Sequence, residues 1–310
     1  MAENIERTLR RLMRRGFVAL THGKLQEAAD CCKQAIALKP DLAQAHFLVG
    51  LTALQANDRQ TAFQAFGSVT QIDEKNAAAW AQLARLFMTE GQVVKADAAL
   101  LEATQADSRD PMVHDLIGTV YSQIGEYAGA RASFETAVQL KPDHPPFLLN
   151  LANNRIYEGD TQGAEVLLDK IITIQPNSPQ AHWALAGSRK AVDERHINVM
   201  SGFANEVDLH PRARSFYFYA MGKEFEDLEQ WGRAFNAFEQ GARTRRTTIE
   251  YDEKAEQQMF DFLRDKFTSD WLARCSAGYE EAGPIFVLGQ PRTGTTMIER
   301  IITSHSAVDS

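Results

Sequence analysis

The chain is poor in cysteine, in long apolar runs and in positive charge, and each shortage excludes a class of protein. Three cysteines, Cys31, Cys32 and Cys275, are too few for the disulfide framework of a small secreted domain, so a reducing cytoplasm fits best. No stretch approaches the roughly 18 consecutive apolar residues of a membrane-spanning helix. The formal net charge is −8, whereas a general nucleic-acid binder needs a basic face. We therefore expect no membrane and no nucleic-acid partner.

Metal-ligand clusters are missing from the sequence as well. The eight histidines are scattered, and no group of histidines, cysteines and carboxylates has the spacing of a metal site, so no metal is expected. His182, His196 and His210 recur every 14 residues. Because a helix break is predicted among them, packing or surface roles are favoured over a shared site.

The chain does contain a 34-residue repeat, visible at four sets of positions over five cycles. The first set is small: Gly16, Gly50, Ala84, Gly118 and Ala152. The second is alanine throughout: Ala28, Ala62, Ala96, Ala130 and Ala164. The third favours turns: Gly23, Asn57, Gly91, Gly125 and Gly159. The fourth is larger and apolar or soft: Cys32, Phe66, Leu100, Phe134 and Leu168.

Each set has a physical explanation in a pair of antiparallel helices. Small residues of the first two sets are expected where the helices cross most closely, since larger side chains would separate them. The third set lies about two helical turns after the first and marks a turn that requires positive φ. The fourth set fills the space beside the crossing. Prolines fall between the cycles, where a helix must end.

These residues resemble the tetratricopeptide repeat family, whose pattern is distributed over the cycles. The matching residues are Trp80 and Leu83, Gly118 and Tyr121, Ala62 with Phe66, Ala130 with Phe134, and Pro142 with Pro176. The resemblance is clean over about residues 9 to 178, and the register then weakens around Asn198 and Pro211. It implies a mainly α fold, a right-handed superhelix of about seven helical hairpins over residues 1–247, with the sixth hairpin irregular.

The resemblance also implies a protein or peptide partner on the inner face of the superhelix. Asn150 and Asn153 are candidate peptide-binding residues, because an amide both donates to and accepts from a peptide backbone. Ordinary polar surface is an equally good interpretation of these asparagines. Residues 248–282 are expected to form a capping or linking helix, since the end of a repeat array needs a cover.

A second motif, FVLGQPRTGTTMIERI, occupies residues 286–301. Gly289 and Gly294 have the spacing of a nucleotide-triphosphatase loop, but Thr295 stands where that loop needs lysine. The missing charge argues against an ATPase or kinase. The positive charge lies inside the loop instead, at Arg292.

This arrangement resembles the loop of the tyrosylprotein-sulfotransferase-like branch of the sulfotransferase family, whose donor is 3′-phosphoadenosine-5′-phosphosulfate (PAPS). The matching residues are Pro291, Arg292, Thr293, Gly294, Thr295 and Thr296, with Thr293 in place of the commoner serine. The resemblance implies that Arg292 is catalytic and binds the donor together with Thr293, Gly294, Thr295 and Thr296. Residues 283–310 would then be the first strand, loop and helix of an α/β P-loop domain.

In the resembled family, the catalytic base and the residues that bind the 3′-phosphate lie beyond the position that corresponds to Ser310. We therefore expect residues 283–310 to be an incomplete domain that is inactive alone, with residues 285–288 as its first strand. Two functions stay open on the sequence. One is a sulfotransferase acting on a hydroxyl or phenol, possibly a protein tyrosine, and the other is a protein-interaction scaffold without catalytic activity.

Overall fold

The computed structural model describes residues 2–274, 283–290 and 293–308, and helices are the only regular structure in these ranges. The chain divides into two compact units, Met1–Ile249 and Glu250–Ser310. The helices of the first unit, in chain order, are α1 Ala2–Thr21, α2 Leu25–Leu38, α3 Ala43–Gln55, α4 Arg59–Ile72, α5 Ala77–Thr89, α6 Val93–Gln105, α7 Pro111–Ile124, α8 Tyr127–Leu140, α9 Pro145–Tyr157, α10 Thr161–Ile174, α11 Pro179–Ser188, α12 Arg195–Ala204, α13 Pro211–Asp227 and α14 Trp231–Arg246. The prediction of a mainly α repeat array is confirmed.

Consecutive helices of the first unit pack as hairpins, α1 with α2 through α9 with α10, and α13 with α14. The sixth pair differs, as the weakened register predicts. Helices α11 and α12 have 10 residues each, whereas the helices of the first five pairs have 13 to 20. Helix α11 packs on α10 and α13, and α12 packs on α13. Prolines begin helices α7, α9, α11 and α13, where their missing N–H has no cost.

The alanines of the second repeat set lie in the centre of the array. Ala28, Ala62, Ala96, Ala130 and Ala164 are all fully buried. The predicted burial of this set is confirmed, and it follows from the close crossing of two helices at each of these positions.

The first and fourth repeat sets pack against each other inside the second to fifth hairpins. A Cβ atom placed on Gly50 would lie 2.6 Å from the Phe66 ring, and one on Gly118 would lie 2.7 Å from the Phe134 ring. Where the first set has alanine, the fourth has leucine, as in Ala84 with Leu100 and Ala152 with Leu168. The seventh hairpin returns to the first arrangement, with Gly222 facing Phe238. The sum of the two side-chain volumes is thus similar in these hairpins, whereas Gly16 of the first hairpin lies against Leu48 and Cys31 instead.

The third set provides the turn within each of the first five hairpins. All its members have positive φ, from 59° at Asn57 to 95° at Gly125. The predicted turn conformation is confirmed. Glycine and asparagine adopt it more readily than other residues, since a Cβ atom crowds the carbonyl there.

A further set of residues with the same 34-residue period forms hydrogen bonds between one hairpin and the next. The ring nitrogens of His46, Trp80, His114 and His182 each lie 2.7–2.9 Å from the carbonyl oxygen six residues earlier, on Pro40, Glu74, Ser108 and Pro176. Leu148 occupies the same position in the fifth hairpin and has no donor. There the Lys170 ammonium donates to the corresponding carbonyl, that of Pro142, at 2.8 Å. The backbone carbonyl that precedes each new hairpin therefore accepts a hydrogen bond, either from a ring N–H or from the Lys170 ammonium.

The second unit contains helices α15 Glu253–Lys266, α16 Ser269–Arg274 and α17 Thr295–Thr303 within its described residues. Where the sequence predicted one capping helix over residues 248–282, the structure has α15 and α16. The break falls at Thr268, whose hydroxyl accepts the N–H of Trp271 at 3.2 Å and so starts a new helix. Residues 275–282 lie outside the described ranges. The capping role and the domain bounds 1–247, 248–282 and 283–310 stay predictions.

The strand predicted over residues 285–288 is not found, and residues 283–290 have no regular structure. Ile285, Phe286 and Leu288 are 60%, 80% and 87% exposed. The physical reason is that a strand needs a hydrogen-bonding neighbour, and no strand occurs in the described parts of the chain. Helix α17 is present where the sequence predicted a helix.

Candidate functional sites

The loop before α17 ends in a glycine with positive φ. Gly294 has φ 93° and is the N-cap of α17, with no side-chain capping bond. Thr295 and Thr296 are therefore the first two helical residues rather than caps. Arg292, the residue on which the donor-binding hypothesis depends most, lies outside the described residues, as does Pro291.

The described part of the loop closes tightly upon itself. A Cβ atom on Gly289 would lie 2.7 Å from the Thr293 hydroxyl and 2.8 Å from the Thr295 methyl group, so a larger residue there would have to displace these side chains. The Thr293 hydroxyl donates to the Gln290 carbonyl at 2.7 Å and holds the turn. Both glycines of the motif thus have a role in shaping the loop.

The start of α17 can receive an anion. The first intrahelical bond of this helix runs from the N–H of Ile298 to the carbonyl of Gly294, at 3.1 Å. The N–H groups of Thr295, Thr296 and Met297 precede it, so no earlier turn of the helix accepts them. Free N–H groups and the helix dipole together attract phosphate or sulfate. Thr296 is exposed and adds a hydroxyl at the same end.

A groove of about 700 Å³ runs along the first three hairpins. Leu20, Leu51 and Leu54 are among its apolar lining residues, and Arg85 lines the same groove. The Arg85 guanidinium donates to the Gln82 side chain at 2.6 Å and forms no ion pair with the described residues, whereas Arg59 of the same groove is paired with Glu90 at 3.2 Å. Burial lowers the pKa of Arg85. A half-buried cation without a counter-ion favours an anionic group in this groove.

Helix α9 carries three asparagines in different environments, the candidates Asn150 and Asn153 and their neighbour Asn154. Asn150 donates to the Asp115 carboxylate at 2.8 Å, and burial raises the pKa of Asp115. Asn153 is half-buried and has no hydrogen-bond partner among the described residues. Asn154 is fully buried and donates to the Tyr127 carbonyl at 3.1 Å, which is a structural role. Asn153 is the one free to meet a ligand.

A pocket of about 560 Å³ lies at the irregular sixth hairpin, where α11 ends early. His196 and Glu224 are among its lining residues, together with Arg189, Lys190, Asp193 and others of the segment between α11 and α12. The Nδ1 atom of His196 lies 2.5 Å from a carboxylate oxygen of Glu224. Glu224 is 1% exposed, and its second oxygen has no partner in the described chain.

The same network continues to His182, which is fully buried. Its Nδ1 atom lies 2.7 Å from Nε2 of His196, so the structure brings two of the three evenly spaced histidines together. His210 lies apart and accepts the N–H of Arg212 as the N-cap of α13. The sequence interpretation missed the pairing of His182 with His196, although the 34-residue step from His114 through Leu148 to His182 marked His182 as a member of the repeat.

Profiles of known families match the two parts of the chain separately. Tetratricopeptide repeat profiles match residues 14–77, 53–119 and 123–187. A profile of the Sulfotransferase family matches residues 284–310. The first unit is therefore a tetratricopeptide-repeat scaffold, an architecture with an extended surface for binding proteins. The second match is short and covers the loop and α17.

Two curated relatives resemble the chain over the repeats. An uncharacterised protein of Aquifex aeolicus (strain VF5) is 27% identical over 168 residues, which is 54% of this chain and 22% of that protein. Superkiller complex protein 3 of Mus musculus is 32% identical over 123 residues, 39% of this chain and 8% of the relative. The chain thus spans less than a quarter of the length of either relative.

Among solved structures, pilF of Pseudomonas aeruginosa has a TM-score of 0.53 at 18% identity and covers 76% of this chain and 98% of its own. This likeness shows the fold of the array alone. In the described parts of the chain, no helix is long and apolar enough to cross a membrane, and no three histidine, cysteine or acidic side chains converge as metal ligands would.

Proposed function

We propose that the chain is part of a sulfotransferase that moves a sulfuryl group from PAPS to a hydroxyl or phenol of an acceptor. The observation that carries the proposal is the loop of residues 289–296, which has the in-loop arginine of the Sulfotransferase family and leads into a helix N-terminus with free N–H groups. The repeats would bind the acceptor protein or another protein partner.

The residues of the loop have distinct roles in this proposal. Arg292 holds the bridging or sulfuryl oxygens through paired hydrogen bonds. The backbone after Gly294 surrounds the 5′-phosphate, and the hydroxyls of Thr295 and Thr296 donate to its oxygens. The hydroxyl of Thr293 would have to leave the Gln290 carbonyl to join them. In the reaction the acceptor oxygen attacks sulfur, the bond from sulfur to the phosphate oxygen breaks, and the acceptor proton passes to a base. Adenosine 3′,5′-bisphosphate leaves.

Calorimetric titration of the 310-residue chain with PAPS tests this assignment. We expect weak binding, because the loop alone contacts the 5′-phosphosulfate. Arg292→Ala should weaken it by roughly tenfold or more, the effect of losing a charge-assisted hydrogen bond. Arg300→Ala is the matched control, since Arg300 lies exposed on the same α17 and should leave binding unchanged. Equal affinity of the two variants would show that the loop does not hold the donor.

The groove with Arg85 favours a second function, that of a scaffold which binds an acidic peptide and does no chemistry. A half-buried guanidinium without a carboxylate partner gains more from a ligand anion than an exposed one does. Leucines beside it accept an apolar side chain of the same peptide. Asn153, free of partners on a later hairpin, extends the surface.

An immobilised set of peptides that contain both glutamate and leucine distinguishes the two functions. The chain is expected to select peptides from this set, and Arg85→Met should lose them. Arg131→Met is the control, because Arg131 lies on α8 and is paired with Glu158 at 3.4 Å. Selection that survives Arg85→Met would exclude the groove. Peptide binding without any PAPS binding would favour the scaffold over the enzyme.

A further inference from the structure

The hydrogen positions of the network at the sixth hairpin follow from its partners. Trp80 shows the pattern, since its indole N–H can only donate and lies 2.9 Å from the Glu74 carbonyl. His182 stands at the equivalent position, with Nε2 2.7 Å from the Pro176 carbonyl. A carbonyl only accepts, so Nε2 of His182 carries a hydrogen.

The second nitrogen of His182 is then fixed as well. Burial lowers the pKa of His182, which favours its neutral ring, and a neutral ring with hydrogen on Nε2 has a bare Nδ1. This Nδ1 lies 2.7 Å from Nε2 of His196 and accepts a hydrogen bond from it. Nε2 of His196 therefore carries a hydrogen too.

The contact between His196 and Glu224 requires one more proton. Nδ1 of His196 lies 2.5 Å from the Glu224 carboxylate. If His196 were neutral and Glu224 ionised, two lone pairs would face each other in a buried site. One proton between them, on the imidazolium or on the carboxylic acid, converts this repulsion into a charge-assisted hydrogen bond.

We propose that Glu224, His196 and His182 form a proton-binding site that holds the irregular sixth hairpin together and couples its folding to pH. The three side chains come from α13, α12 and α11, and α13 packs on both of the other two helices. The site takes the place of the direct hairpin contact that the short α11 and α12 cannot provide.

The charges around the network are largely balanced. Tyr217 on α13 is buried, and burial raises its pKa to about 12, so it stays neutral. The charged groups that face the network and its pocket from α10, from the segment before α12, from α12 and from α13 form ion pairs: Glu165 with Arg189, Asp193 with Arg195, and Asp227 with Lys223. Lys190 and Glu194 complete this set, the latter paired with Arg233.

The direction of the pH effect follows from proton counting. Above the ordinary pKa of histidine, about 6.5, the unfolded chain binds no proton at these residues, whereas the folded network binds one. The opening equilibrium constant of this hairpin should then rise by up to about tenfold per pH unit. Below that value the unfolded chain binds two protons against one, and stability should fall as the pH falls.

Glu224→Gln keeps the shape of the side chain but removes the need for a proton between residue 224 and His196. The amide of glutamine donates to the bare Nδ1 of a neutral His196, and every contact of the network is satisfied without an added proton. Hydrogen exchange of the amides of residues 195–204 should be compared between the two full-length proteins from about pH 7 to about pH 9. The ratio of wild-type to Glu224→Gln exchange should grow with pH, up to about tenfold per unit.

Two further measurements keep the proposal open to refutation. Ring ¹⁵N spectra of the wild-type protein at neutral pH should show the extra proton on the His196–Glu224 pair, and Glu224→Gln should show His196 with hydrogen on Nε2 alone. His114→Gln is the matched control, because His114 makes the same ring–carbonyl bond without a second histidine. A pH-independent exchange ratio, an Nδ1 of His196 that neither carries a proton nor accepts a hydrogen bond in the wild type, or the same pH slope change in His114→Gln would each overturn the proton site.

Discussion

Gly118→Ala should destabilise the array although alanine is the better helix former. A Cβ atom on Gly118 lies 2.7 Å from two atoms of the Phe134 ring, well inside ordinary contact distance. Phe134 is 3% exposed and packs in a cluster with Ala130 and Leu151, so its ring has little room to move. The new methyl group must displace either the ring or the helix.

The size of the effect comes from two opposing contributions. Overpacking a core costs about 1–3 kcal/mol. Replacing glycine by alanine inside a helix gains about 1 kcal/mol. We therefore expect Gly118→Ala to lower the free energy of unfolding by up to about 2 kcal/mol. Gly67→Ala is the matched control, because Gly67 is also helical and no atom lies within 4 Å of its Cβ position, so this variant should be stabilised.

The double variant Gly118→Ala/Phe134→Leu reproduces the Ala84–Leu100 pair found in the third hairpin. Phe134→Leu alone leaves a cavity and should cost about 1–2 kcal/mol. In the double variant the added methyl group occupies part of that cavity. The two substitutions should therefore cost less together than separately, with a coupling energy of about 1–2 kcal/mol.

Urea unfolding followed by circular dichroism gives the four free energies of this cycle. The slope of the transition has to stay constant among the variants, since repeat arrays can lose cooperativity. If Gly118→Ala were as stabilising as Gly67→Ala, the close contact between the first and fourth repeat sets would be refuted. Additive effects in the double variant would refute the volume compensation.

Two further predictions concern the core. Ala130→Phe should destabilise the array by about 1–3 kcal/mol or more through overpacking, whereas Ala128→Phe, exposed on the same α8, should have little effect on the thermal melt. Burial raises the pKa of Cys32 to about 12, whereas the pKa of an unfolded cysteine is about 8.5. The contribution of the protonated thiol to stability is therefore complete below about pH 8.5 and is lost as the pH rises from there towards the pKa of the folded state. In unfolding experiments at a series of pH values, the free energy of unfolding of Cys32→Ala should fall less steeply with pH, by up to about 1.4 kcal/mol per pH unit. An unchanged slope would contradict the raised pKa of Cys32.

The periodic part of the fold could be predicted from the sequence because each repeat set has one local requirement. Asn57 occupies a glycine position, and both residues tolerate positive φ. Ala130 is small because two helices cross there. Such requirements recur every 34 residues, so five cycles identify each of them independently.

Other features of the structure could not be predicted because they depend on contacts with residues distant in the sequence, which no local pattern specifies. Residues 285–288 have the composition of a buried strand, yet a strand also requires a neighbour, and the described chain has none. The meeting of His182 with His196 arises from the shortening of α11 and α12, which brings a 14-residue separation into contact. Of the candidate loop, the helix start at Gly294 was predictable, whereas the position of Arg292 lies outside the described residues.

The hydrogen bonds between a ring nitrogen and the carbonyl six residues earlier give the array a polarity. In each case the acceptor ends one hairpin and the donor begins the next, and even the substitute Lys170 belongs to the hairpin after Pro142. Each hairpin thus carries the donor of the hydrogen bond that joins it to its predecessor. A duplication or deletion that cuts just before the donor helix would leave every such joint intact, so the array can change length by whole units in evolution or in the laboratory.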